Sequence, residues 1–204
     1  TGRGGREEFE GLSCAAPSHV AAELLRPHDS ELGSLLGKIT HSGTAILTLG
    51  FRREQIAHAL SGMGAVVPRV ENSPILACSF SSQKYPHRAP EGKELLRVFV
   101  GGSRRPEMAY MPQEEIEPII LEELRRWLGI RGEPIYSRVA HWPNTMPQYH
   151  VGHQQLVAQV EQRVAALDRI ELAGNAYRGV GIPDCIHGGE LAVQRLLAEL
   201  TPKE

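Results

Sequence analysis

A mixed fold of the α/β or α+β class is predicted by three features of this 204-residue chain. Between about residues 38 and 110, short apolar runs recur between Gly, Pro, Asn and Ser, the pattern of strands joined by turns. Beyond that point apolar residues recur at helical spacing instead. Near the carboxy-terminus, Leu172 to Glu190 reads as a buried strand, a glycine-rich turn and a helix.

Taken in order, Leu12, Cys14 and Ala15 precede a short helix from Pro17 to Leu25, a strand-to-helix step with proline opening the helix. Strand character follows at Ala45 to Phe51, Ala65 to Pro68, Ile75 to Phe80 and Leu95 to Val100, so a mostly antiparallel sheet is expected. Ile116, Ile119, Ile120, Leu124, Trp127 and Leu128 mark a helix with acids in its first turns, Arg125 and Arg126 at its end and Gly129 behind it. Pro118 is tolerated only near a helix start, which predicts that the regular part begins after Gln113. Ile135 to Ala140 reads as a strand leading into a loop that carries Trp142. Leu156, Val157, Val160, Val164 and Leu167 give another amphipathic helix. The last helix is expected to bury Ile186, Val193, Leu196, Leu197 and Leu200 on one face. There is no internal repeat or low-complexity tract.

Bulk properties exclude more than they specify. A formal net charge of −2 with 23% charged residues offers no broad attraction for nucleic acid. No apolar run approaches the roughly 18 to 20 residues that span a bilayer, and Thr1 to Arg6 lacks the apolar segment of a secretory signal. A soluble cytosolic protein is the default expectation. Cys14, Cys78 and Cys185, odd in number and widely spaced, suit free thiols. The nine histidines form no metal-ligand pair on a convincing helix, and His150 and His153 read as surface or cap residues, so no metal site is expected.

The glycine turn is the most informative segment. Gly179 and Gly181 permit close backbone approach, Pro183 suits the first helical position, and the free amides of the new helix form an anion site. Asp184 has two readings, a cap on that helix or a carboxylate that bonds ligand hydroxyls.

This run resembles the carboxy-terminal flavin-binding motif of the protoporphyrinogen oxidases, members of the flavin amine oxidase superfamily. Gly64 to Glu71, Ile75 to Gly92, Leu96 to Gly102 and Trp142 to Tyr149 are similar to the same family in the same order, from about Leu12 onward. The resemblance implies FAD as cofactor, held by Gly181, Ile182, Pro183 and Asp184, with Trp142 beside the isoalloxazine ring. It implies a remnant of a Rossmann-like FAD-binding domain over residues 1–37 and 130–204, and a substrate domain over 38–129. It also implies a porphyrinogen substrate, protoporphyrinogen IX or coproporphyrinogen III, oxidised in haem biosynthesis with molecular oxygen or another acceptor taking the electrons. No catalytic base is named. Lys84, His87, Arg88 and Arg97 are cations that could meet substrate propionates or simply be solvated.

A flavin enzyme of this superfamily should open with Gly-x-Gly-x-x-Gly after a strand, and Gly2, Gly4 and Gly5 sit in a charged segment without one. The chain is therefore expected to be the carboxy-terminal half of a longer enzyme, lacking its dinucleotide-binding half. Peripheral association with an inner membrane face is kept open. The rival readings are a non-catalytic fragment or binding module, and another flavin amine oxidase.

Overall fold

The computed structural model describes residues 7–200, so the Gly2, Gly4 and Gly5 segment lies outside the described residues. The chain divides into two compact units: one runs through His41 and resumes at Met146, and the other is Ser42–Thr145.

In the first unit, β1 (Leu12–Cys14) leads to α1 (Ser18–Leu25) and α2 (Ser30–Gly37). The sequence pattern did not reveal α2, because Gly33 and Gly37 dilute a helix of only eight residues. Its place is set by packing and by a cap. A side chain at Gly33 would lie 2.8 Å from Arg26 Cβ, so glycine lets the two helices approach. Asp29 accepts from the Glu31 and Leu32 amides at 3.0 Å each, and Arg163 grips the same carboxylate at 2.6 Å. The Leu32 amide foremost, with Arg163, holds this carboxyl below its ordinary range.

The second unit is a five-stranded sheet of order β3-β4-β5-β2-β6. The strands are β2 (His41–Arg52), β3 (Gly64–Val66), β4 (Ile75–Phe80), β5 (Lys93–Gly101) and β6 (Tyr136–Pro147). A single turn, α3 (Ser81–Lys84), separates β4 from β5, and α4 (Gln113–Leu128) precedes β6. Antiparallel pairing of β2 with β5 runs unbroken from Thr44 opposite Gly101 to Arg52 opposite Lys93. Strict alternation sends Ala45, Leu47, Leu49 and Phe51, with Leu96, Val98 and Val100, into one core with Ile116, Ile120 and Leu124. Cys78 is buried there, and burial pushes its thiol up to about 12, so it is inert.

The helix start expected after Gln113 is corrected. Helix α4 begins at Gln113, ahead of Pro118, because Pro118 lies on the exposed face, where the Glu114 carbonyl it leaves unpaired can be hydrated. The second compact unit extends past residue 130 to Thr145, because β6 is a strand of the sheet and keeps the intervening residues with it.

The chain then forms α5 (His153–Val164), β7 (Ile170–Leu172) and α6 (Ile182–Leu200). β7 lies parallel to β1, pairing Leu12 with Ile170 and Cys14 with Leu172. The strand expected over Leu172 to Gly174 therefore ends at its first residue. The Ala173 amide closes the ladder on the Cys14 carbonyl at 3.0 Å, and Gly174, at φ +120°, turns the chain away. The face expected to be buried on α6 is also corrected: Ile186, Val193 and Leu197 are 59%, 46% and 56% exposed, while Ala192 is buried.

Leu124→Ala should cost about 2–5 kcal/mol by opening a cavity beneath the sheet, read as a lower urea midpoint at unchanged slope. His41 packs edge-on to His19, with ring centroids 5.1 Å apart. Burial, opposed by the Ile39 carbonyl, lowers its pKa. A histidine depressed in the fold leaves stability intact above its unfolded pKa and removes it as pH falls through the folded value. Melting temperature should therefore decline below about pH 6.5, and His41→Gln should flatten that decline.

Candidate functional site

The segment after β6 anchors the carboxy-terminal turn. Tyr149 stacks on His153 with centroids 3.8 Å apart, and its hydroxyl donates to the Asn175 carbonyl at 2.7 Å. His153 lies with Nε2 3.1 Å from the Tyr177 carbonyl and is buried, which corrects its reading as a surface or cap residue. His150 instead meets the Thr40 hydroxyl at 2.9 Å. Periodicity missed the Tyr149 and His153 pair because both roles depend on a loop some 25 residues downstream.

The turn is built around Asp184. Its Oδ2 accepts the Gly181 amide at 3.3 Å, reaching back from the first turn of α6 as a cap does. A side chain at Gly179 would fall 2.5 Å from Asp184 Cβ, and one at Gly181 2.9 Å from Oδ2, so both glycines are needed to seat this carboxylate. Ile182 is 77% exposed, and Pro183 and Asp184 are exposed beside it. Four of the five predicted cofactor-binding residues are thus consecutive at a helix start, with Ile182, Pro183 and Asp184 exposed and Gly181 half-buried.

A cleft of about 650 Å³ opens beside the turn, between α5, β7 and α6. Val160, Val164 and Leu191 give it apolar walls. Arg195 clamps the buried Glu171 through two bonds of 2.9 and 2.8 Å, and Arg178 forms a similar fork with Glu161. The Tyr177 hydroxyl is buried without a hydrogen-bond partner, and burial pushes its pKa up.

Trp142, the fifth predicted residue, belongs to the other unit. It stands within β6 rather than in the expected loop, and is 51% exposed. Its orientation follows from its neighbours. Val139 packs into the sheet's core, Ser137 bonds Glu117 of α4, and His141 Nδ1 lies 2.9 Å from the Ala109 carbonyl. Alternation places Arg138, Ala140 and Trp142 on the opposite face. Of the predicted cations, Lys84 and Arg88 gather over the Tyr85 ring at 5.3 and 5.5 Å, and Arg97 lies 5.5 Å from the Phe99 ring. His87 occupies a left-handed turn at φ +64°.

Residues 3–197 match the model of the flavin containing amine oxidoreductases, and the chain belongs to that family. It is 37% identical to coproporphyrinogen III oxidase of Bacillus subtilis over 95% of this chain and 41% of that protein. The enzyme of the same name from Staphylococcus aureus is 33% identical over 76% of this chain and 34% of its own length. A crystal structure from Exiguobacterium sp. 255-15, provisionally named a protoporphyrinogen oxidase, superposes at a TM-score of 0.78 with 31% identity, covering 91% of this chain and 40% of its own. The chain thus spans well under half of these relatives. Among the described residues no helix is long and apolar enough to cross a membrane.

Gly179→Ala should destabilise the first unit by about 1–3 kcal/mol through overpacking against Asp184, whereas Gly181→Ala meets only a movable carboxylate oxygen and should cost less. Thermal melts of the two variants compare them directly; equal losses would mean that Asp184 does not order the turn.

Proposed function

We propose that this chain forms the cofactor-closing and substrate-domain portion of an FAD-dependent porphyrinogen oxidase of haem biosynthesis. The observation that carries the reading is its 37% identity to a coproporphyrinogen III oxidase across 95% of its length, combined with an exposed helix start where the flavin motif was expected. Coproporphyrinogen III is the favoured substrate. Relatives of that name are 32–37% identical, while the plant protoporphyrinogen oxidases compared are 26–29% identical.

The residues present fit a flavin. Gly181 to Asp184 would border it with the partial positive charge of a 19-residue helix, worth roughly 0.3–2 kcal/mol toward an anionic ring edge or phosphate. The second Asp184 oxygen has no protein partner among the described residues and is available to ligand hydroxyls. Trp142 offers a rigid exposed face suited to bordering a planar ring. The chemistry supplied by bound FAD is the acceptance of hydride equivalents from the porphyrinogen and their delivery to oxygen or another acceptor.

In this reading residues 1–41 and 146–204 belong to the FAD-binding domain and 42–145 to the substrate domain. The ADP half of the cofactor would be held by a dinucleotide-binding segment outside this sequence. The two-stranded parallel pair β1 and β7 supports this, since parallel sheets are stable when extended and covered on both faces. Exposed Met63, Val66 and Val70 supply an apolar edge through which the protein would rest on a membrane surface.

Expressed from its complete reading frame, the protein should co-purify with FAD and convert coproporphyrinogen III to fluorescent coproporphyrin, while the 204-residue chain alone should bind FAD weakly by calorimetry. Gly181→Val should lower flavin content while the fold persists, and Asp184→Ala should do so less. A flavin-free full-length protein, or a Gly181→Val variant with normal flavin and activity, would overturn the assignment.

A further inference from the structure

The sheet face turned away from α4 carries an unusual distribution of charge. All five strands together contain one acid, Glu94, which sits opposite Phe51 on the helix side and is bonded there by Ser82 and Gln83. The other face has none. Arg97 projects from it on β5, opposite Thr48 of β2 and next to Phe99.

Arg138 shares this face, as two close approaches show. A side chain at Gly50 would lie 3.1 Å from Tyr136 Cβ, and one at Gly43 3.2 Å from Pro143 Cα. Both fit the same antiparallel register, which sets Arg138 beside Thr48 and Trp142 beside Thr44. Arg97 and Arg138 therefore flank Thr48 on successive strands, two strand spacings or roughly 9–10 Å apart along the backbone. Both are exposed, and neither has a carboxylate partner among the described residues.

Two guanidinium groups without carboxylate partners on an acid-free strand surface, with the Phe99 ring beside Arg97 on β5 and exposed Trp142 on β6, suit a flat apolar molecule with carboxylates at its rim. We infer that Arg97 and Arg138 are the specificity-determining residues of this face, anchoring separate propionates of a tetrapyrrole and favouring a substrate with four propionates over one with two. This rests on the porphyrinogen oxidase reading and assigns its substrate contacts. Neither arginine touches the reacting carbons, so their effect falls on binding rather than on the chemical step.

The test uses the full-length flavoprotein with Arg97→Gln, Arg138→Gln, the double variant and Arg97→Lys. Each Gln substitution should raise KM for coproporphyrinogen III about tenfold with kcat nearly unchanged, and should reduce the preference over protoporphyrinogen IX. Arg97→Lys, which keeps the charge, should recover part of the loss. Independently of turnover, fluorescence titration with coproporphyrin III should weaken by the same factor, and binding of its tetramethyl ester should be insensitive to the substitutions. Oxidation and titration that ignore both arginines would overturn this inference while leaving the oxidase reading in place. Arginine-dependent coproporphyrin binding without porphyrinogen oxidation would instead remove the oxidase reading and keep the anchors. A wild-type protein that binds no coproporphyrin would overturn the anchors outright.

Discussion

Burial of Leu47, Leu49, Leu96 and Val98 against Ile116, Ile120 and Leu124 decides what the sheet can present to a ligand. Alternate side chains on a strand point to opposite faces, so committing one set to the core commits the other to the outside. Arg97 and Phe99 lie on the outer face because Leu96, Val98 and Val100 are in the core, and Trp142 lies there because Val139, of opposite parity on β6, packs against that core. A slip of one residue between β2 and β5 would bury Arg97 and expose Leu96, a cost that no local hydrogen bond could offset. The register is thus enforced by the core.

In the other unit the corresponding constraint is both apolar and polar. The turn from Gly174 to Asp184 buries Ala176 and Tyr177 in the unit's core, and Tyr149 and His153 add two bonds to its carbonyls. Asp184 then organises the helix start from within, and Gly179 and Gly181 leave room for it. Beside this, the Glu171 and Arg195 fork ties β7 to α6, so strand, turn and helix keep a fixed order around the cleft. Clefts with apolar walls and a few fixed polar groups are the usual form of small-molecule sites.

Family membership gives these arrangements their setting. The UDP-galactopyranose mutase structure shares the fold at a TM-score of 0.68 with 17% identity, and a fold by itself does not fix chemistry. The side chains carried on these elements have to supply it, and on this sheet face they include arginines and no acid.

The sequence by itself determined the element types that repeat: the alternating runs of β2, β4 and β5, the capped periodicity of α4, and the Pro183 start that became α6. These are legible because each is written in local spacing, and the ordered motifs that resemble the flavin amine oxidases are likewise contiguous. The tertiary structure decided what local spacing cannot carry. Helix α2 needed Arg163, 134 residues away, to complete its cap on Asp29. Trp142 became a strand residue because β2 offered β6 a ladder beyond Ala140. The pairing of Arg97 with Arg138 across Thr48 exists only once three strands distant in sequence lie side by side, since lateral neighbours in a sheet are set by register between strands and by nothing within any one of them.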